Sequence, residues 1–195
     1  MTDPRTDQIA REAARLIETG QAESIDAAIR AAAHALGCHD APMPGAGRVR
    51  QHAQAMSMQA MGDEGYAESV RNVWEIAEQL MTVLQQGMPD APTLRVGRAA
   101  NGQIDAGVTI HIRVYTKSSI GEIAQVLADF DYDEPAFETA ETKSGRLDRL
   151  RFVEEGIEIV LTRCLPEMLK DAQVDLFKGH AIETATLDEL RDRLK

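Results

Sequence analysis

The chain has 195 residues, a formal net charge of −11, 44% apolar residues and two cysteines. This length fits one domain or a small domain with a helical extension, and the apolar fraction excludes wholesale disorder. The acidic balance disfavours nucleic acid and anionic membranes as partners, because both bind basic surfaces. The sequence shows no signal peptide, membrane-spanning apolar run or disulfide framework, so we expect a cytoplasmic protein that does not enter a membrane.

Residues 1–40 predict a hairpin of two amphipathic helices. Apolar residues at helical spacing predict the first helix over residues 5–19, and Ser24 is a suitable N-cap for a second helix that ends at Gly37. Two such short helices cannot bury both apolar faces alone. We therefore expect them to dock elsewhere on the chain, on a protein partner or in a homo-oligomer. A linker rich in Pro and Gly follows over residues 41–47.

Residues 48–195 predict a helix pair and then an α+β domain. The helices are expected over residues 48–62 and 64–86, and the second carries a broad apolar stripe. Strict alternation over residues 108–115 predicts a half-buried strand. Its polar, more open face is expected to carry Thr109, His111, Arg113 and Tyr115. Ser119 and Glu122 form a capping box that predicts a helix directly after this strand.

The remaining strands complete a predicted mixed sheet. Residues 134–142 and 146–154 flank a short turn and predict a β-hairpin, and residues 157–162 predict a third strand antiparallel to it. Thr186 and Glu189 form a second capping box, ahead of a terminal helix. The predicted fold class is therefore α+β: an N-terminal helical region, then a mixed sheet with one crossover helix and an antiparallel hairpin.

The sequence offers weak support for a metal or nucleotide loop. His34, Cys38, His39 and Asp40 are ligand types, but a structural zinc site needs a second pair, so no metal site is predicted. The stretch from Gly97 to Gly102 lacks the lysine and hydroxyl of a triphosphate-binding loop.

Arginines are the clearest candidate ligand-binding residues. Arg149 and Arg151 share a strand face, and a guanidinium group suits phosphate or carboxylate. Arg113 and Arg163, on other predicted strands, are further candidates. The alternative is that these arginines pair across strands with acidic residues of the sheet. Those acids are Glu138, Glu141, Glu154 and Glu158.

The order of elements resembles the nucleotidyltransferase fold of antibiotic nucleotidyltransferases and DNA polymerase β. Residues 94–97 match that family's first strand and Gly-containing turn, residues 108–115 its second strand, and residues 119–130 its helix. Residues 156–161 match its last strand. The resemblance implies two carboxylates on the second strand and one on the last, which would hold the Mg²⁺ ions that bridge nucleotide phosphates.

The residues at those positions depart from the family pattern. Thr109 and His111 stand where the two aspartates are expected, and Val160 stands at the third position. The resemblance thus implies a module that has lost transferase chemistry, needs no cofactor, and binds a protein or a small ligand.

An active enzyme is the alternative hypothesis. Over its full length the chain also resembles short proteobacterial proteins named UDP-N-acetylmuramate–alanine ligase, although it lacks the Gly-Lys-Thr/Ser loop of Mur ligases. A nucleotidyltransferase or ligase with a non-standard site would use Asp105, His111 and Glu158 as candidate catalytic residues, with Mg²⁺ as its cofactor.

Overall fold

A computed structural model describes residues 3–105 and 107–195, which are divided between two compact units. The first unit comprises residues 1–68 with 104–107, and the second comprises residues 69–103 with 108–195. No helix in the described part of the chain is both long and apolar enough to cross a membrane.

The first unit begins with the predicted helical hairpin. Helix α1 (Pro4–Glu18) starts behind Asp3, whose side chain accepts the backbone N–H of Arg5, and helix α2 (Ile25–Ala35) is capped by Ser24. The facing sides are rich in alanine, which lets the helices approach closely. The buried residues of this hairpin are Ile9, Ala10, Ala13, Ala14, Ala28, Ile29, Ala32 and Ala33.

Helix α3 (Ala46–Gly87) is broken at Gly62, which has φ 70° and ψ 173°. The break falls where the sequence predicts the boundary between two helices. Within the first unit, Asp7 of α1 accepts hydrogen bonds from Arg48 and His52 of α3, at 2.8 and 3.0 Å. These contacts join the hairpin to the first part of α3.

The second unit is built on one mixed sheet of the described strands, in the order β3-β4-β5-β2-β1-β6. β2 and β5 are parallel, and the other neighbouring pairs are antiparallel. The predicted α+β class, mixed sheet and antiparallel hairpin are confirmed. The strands are β1 (Thr93–Val96), β2 (Thr109–Tyr115), β3 (Ala136–Thr142), β4 (Gly145–Glu154), β5 (Ile157–Cys164) and β6 (Thr184–Ala185).

The apolar face of the sheet is covered by helices. Crossover helix α4 (Ile120–Asp129) and C-terminal helix α5 (Leu187–Leu194) both have the predicted capping boxes. The second part of α3 is tied to α5 by Glu78, which accepts from Arg191 at 2.8 Å. Its apolar stripe is buried. The buried stripe residues are Val73, Ile76, Ala77, Leu80, Met81 and Leu84.

The opposite face is more covered than its sequence pattern predicts. Arg113 and Tyr115 of β2 are 4% and 1% exposed, although they alternate with the core residues and were expected on the open side. The reason is the segment after β5, which includes the 3₁₀ turn Pro166–Asp171. Its carbonyls at Ala172 and Val174 accept hydrogen bonds from Arg113, at 2.9 and 3.0 Å. Only Thr109 and His111, nearer the start of β2, are partly accessible.

Candidate functional site

Strand register gathers most of the candidate residues on one side of the sheet, which we call the polar face. Thr109 of β2 lies opposite Glu158 of β5, and His111 lies opposite Val160. On the next strand, Arg151 pairs in register with Val160 and Arg149 with Thr162. The polar face consists of Thr109, His111, Arg113, Arg149, Arg151, Glu138, Glu158 and Thr162.

Arg151 is the centre of an ionic network on the polar face. Its Nε donates to Glu138 of β3 at 2.8 Å, and its guanidinium also contacts the carboxylate of Glu158 on β5. Burial raises the pKa of Glu158, but hydrogen bonds from Arg151 and Thr109 outweigh burial, so this pKa lies below its usual value. For Arg151, the sequence alternative of cross-strand pairing therefore describes the structure.

His111 is a neutral imidazole among charged neighbours. Burial lowers the pKa of His111 to about 4, and the positive charge of Arg149 acts in the same direction. Glu158 opposes this shift, and Arg151 and Arg113 add to it. A neutral imidazole has one N–H donor and one acceptor nitrogen, so His111 can hydrogen-bond a ligand without contributing charge.

Arg149 differs from the other arginines of the polar face because no carboxylate in the described residues forms an ion pair with it. Its Nε donates to Thr162 at 3.3 Å, and the Phe177 ring centroid lies 5.2 Å from its guanidinium carbon. Burial and the positive charge of Arg151 lower the pKa of Arg149, and the negative charge of Glu138 partly offsets this shift. A half-buried guanidinium whose two terminal nitrogens lack an anion is suited to bind one.

The other candidates differ from Arg149 in their hydrogen bonds or in the unit to which they belong. Arg113 is used structurally, because both terminal nitrogens of its guanidinium donate to backbone carbonyls. Arg163 lies on the helix-covered side and donates to the carbonyls of Ser118 and Lys117, at 2.6 and 3.3 Å. Asp105 belongs to the first compact unit, whereas His111 and Glu158 belong to the second.

A small cavity of about 90 Å³ lies where the polar face meets the segment after β5. The hydroxyl of Tyr115 is buried there, and burial raises its pKa. Cys164 also lines the cavity, and burial raises the pKa of its thiol to about 11. That value makes Cys164 a thiol at neutral pH and a poor nucleophile. The cavity is small beside the roughly 300–1,000 Å³ of typical ligand pockets.

The polar face does not fit a pair of Mg²⁺ ions, which need clustered carboxylate oxygens. Thr109, His111 and Val160 supply no negative charge at the three positions that the family resemblance assigns to carboxylates. Glu158 is the nearest carboxylate in register, and both its oxygens already accept from Thr109 and Arg151. Across residues 3–105 and 107–195, no three His, Cys, Asp or Glu side chains are grouped to hold a metal ion.

Phe177 is the polar-face neighbour that sequence reasoning did not single out. It lies in an irregular stretch without apolar periodicity, and only the fold brings its ring over Arg149. An exposed aromatic residue close to an arginine-bearing hairpin is a signal too common to identify it beforehand.

Comparison with known proteins gives a limited result. No family model matches the sequence. No curated protein matches it significantly. A chain in the solved structure of a GLD-2/RNP-8 complex is similar in structure, with a TM-score of 0.38 and 14% sequence identity. The similarity covers 52% of this chain and 42% of that one.

Proposed function

We propose that this chain is a non-catalytic module that binds a small anionic ligand on the polar face of a nucleotidyltransferase-like sheet, without a divalent metal ion. The observation that carries the proposal is the set of contacts made by the carboxylate of Glu158. Thr109 and Arg151 bind its carboxylate, and uncharged residues occupy all three positions where the family places metal ligands. A site of this composition has no means of holding the cations that nucleotidyl transfer requires.

Arg149 is the proposed anion-binding residue. Arg151 is neutralised by two carboxylates, and Arg113 and Arg163 are bonded to backbone carbonyls. Arg149 keeps its charge available beside the neutral imidazole of His111, which supplies a hydrogen-bond donor or acceptor. A phosphate or carboxylate group matches this pair, because a guanidinium can bind two oxygens of either group through two parallel hydrogen bonds.

The test is a thermal-shift titration with inorganic phosphate, pyrophosphate and ATP, each with Mg²⁺ or with EDTA. We expect at least one of these anions to raise the melting temperature equally under both conditions. Arg149→Met should abolish the increase. Arg146→Met is the matched control, since Arg146 lies on the same strand, is exposed and donates a hydrogen bond to Thr139.

A nucleotidyl-transfer assay completes the test. Nucleotides labelled at the α-phosphate are incubated with the protein and Mg²⁺ or Mn²⁺, and we expect no labelled product. Metal-dependent transfer that Glu158→Gln abolishes and Glu141→Gln preserves would contradict the proposal. Glu141 is a suitable control because it is an exposed glutamate on β3 with no ion pair in the described residues. Absence of stabilisation by every anion would also contradict it.

A further inference from the structure

A groove between α4 and the edge strand β3 lies outside the polar face. It has a volume of about 610 Å³ and is open along one side. Its floor is made of small residues of α4, and its walls are made of aromatic and acidic residues around the start of β3. The lining residues used here are Ala124, Ala128, Asp131, Tyr132, Glu134 and Phe137.

The groove combines an exposed aromatic ring with an unpaired strand. β3 is the outermost strand of the sheet on this side, so the backbone groups on its outer edge have no strand partner among the residues described. Phe137 is 57% exposed and lies opposite Leu150, on the side of the sheet that α4 covers. Tyr132 is held in place by an edge-on contact with Phe152, with 5.9 Å between ring centroids. A strand added beside β3 would place alternate side chains against Phe137 and the small residues of α4.

The acidic residues around the groove favour a positively charged partner. Residues 118–142 include seven acidic residues and no Lys, Arg or His. Asp131 and Glu134 line the groove, and neither makes an ion pair within the described part of the chain. Arg151 compensates Glu138, but on the opposite side of the sheet. A second copy of this chain, with its net charge of −11, would add to the repulsion.

We propose that the groove between α4 and β3 binds an extended basic segment of a partner protein, which adds a strand to the sheet. Main-chain hydrogen bonds to β3 would provide part of the affinity, and an apolar side chain of the segment would pack on Phe137. Lysine or arginine side chains on either side would face Asp131 and Glu134. This site is independent of the anion site at Arg149.

The experiment uses the full chain and a fluorescein-labelled peptide of alternating Lys and Val, followed by fluorescence anisotropy. We expect saturable binding that weakens with added salt, and no binding of a peptide of alternating Glu and Val. Phe137→Ser removes the aromatic contact, and Ala128→Trp fills the groove from the exposed side of α4. Each should weaken binding by about tenfold or more.

The matched control is Val153→Ser. Val153 is also 57% exposed and lies on the same sheet, but on the polar face. The Val153→Ser variant should bind the peptide with the affinity of the unmodified chain. Circular dichroism shows whether all variants are folded. Equal affinity in all variants would mean non-specific attraction and would overturn the proposal. The absence of binding to the unmodified chain would also overturn it, as would a homodimer in sedimentation that Phe137→Ser dissociates.

Discussion

The hydroxyl of Thr109 donates a hydrogen bond to Oε2 of Glu158 across the parallel pair β2–β5, with 3.1 Å between the oxygens. This bond turns the glutamate towards β2, while its other oxygen contacts Arg151. The carboxylate closest to the expected metal position is thus held in an ionic network in which both of its oxygens already have a hydrogen-bonding partner. Thr109 helps to hold that network together, at a position to which the sequence resemblance to nucleotidyltransferases assigns a metal ligand.

Arg151→Met is predicted to destabilise the protein by about 1 kcal/mol. Methionine keeps the apolar stem of the side chain, but Glu138 and Glu158 both lose their cation. All three side chains are about one-third exposed, so solvent screening limits the effect. Urea unfolding of Arg151→Met, Glu158→Gln and the double variant measures the coupling. A coupling free energy of zero would show that the Arg151–Glu158 contact contributes nothing to stability.

The depressed pKa of His111 predicts a loss of stability in mild acid. The unfolded chain binds a proton at His111 near the ordinary pKa of about 6.5, whereas the folded chain binds it only near 4. Between these values the unfolded state holds more protons, so stability is complete above pH 6.5 and falls as the pH decreases towards 4. Lowering the pH from 7.5 to 5 should cost about 2 kcal/mol through this residue alone.

His111→Gln isolates this contribution, because glutamine keeps hydrogen-bonding capacity and does not titrate. The free energy of unfolding of both proteins is measured in urea at pH 7.5 and pH 5. The variant should lose about 2 kcal/mol less than the unmodified chain over this interval. His34→Gln is a control substitution outside the polar face. Equal losses in the unmodified chain and His111→Gln would contradict the prediction.

Much of the fold could be predicted because its signals are local. Ser119 with Glu122 and Thr186 with Glu189 form the capping boxes that the sequence indicates, and the alternation in β2 marks its buried side. These signals depend on spacings of two to four residues. Strand β6 was not predicted, because two residues, Thr184 and Ala185, are too short to show any alternation.

The candidate site depends on contacts that are distant in sequence. Burial of Arg113 comes from carbonyls about sixty residues later, in a segment without periodicity. Arg149 and Arg151 share a strand face, yet Arg151 forms two ion pairs and Arg149 forms none with any residue that the structure describes. That difference is set by the register of three strands and by Phe177, and no pattern within β4 reveals it.

Gly62→Ala is predicted to destabilise the first unit by about 1–3 kcal/mol. The backbone at Gly62 has φ 70° and ψ 173°, a region that residues with a Cβ atom rarely occupy. Alanine must adopt strained geometry or straighten α3, and either response raises the free energy of the folded state. Gly47→Ala is the control, since Gly47 lies in the same helix with open space around it. Similar urea midpoints for Gly62→Ala and the unmodified chain would contradict this prediction.

The end of α3 lies against α4, and a substitution in α4 is predicted to reverse the effect on stability of a substitution in α3. Gly87 lies against Val126, and a Cβ atom at Gly87 would come within 3.0 Å of both methyl carbons of that valine. Valine is stiff because it is branched at Cβ, so it cannot easily turn aside. Gly87→Ala should therefore cost about 1–3 kcal/mol through overpacking, which exceeds the helix-propensity gain of at most about 1 kcal/mol.

Val126→Ala removes both methyl carbons that would clash with the new Cβ atom. In that background Gly87→Ala should be close to neutral or stabilising. The contact that remains, 3.2 Å from the Cβ atom of residue 126, is relieved by a shift of a few tenths of an ångström and is offset by the gain in helix propensity. The four proteins of this cycle are compared by urea unfolding, and the interaction free energy should favour the double variant by about 1 kcal/mol or more. Additive effects of the two substitutions would mean that α3 and α4 are not in contact at Gly87 and Val126. The second part of α3 would then lack the close approach to the crossover helix that joins it to the sheet.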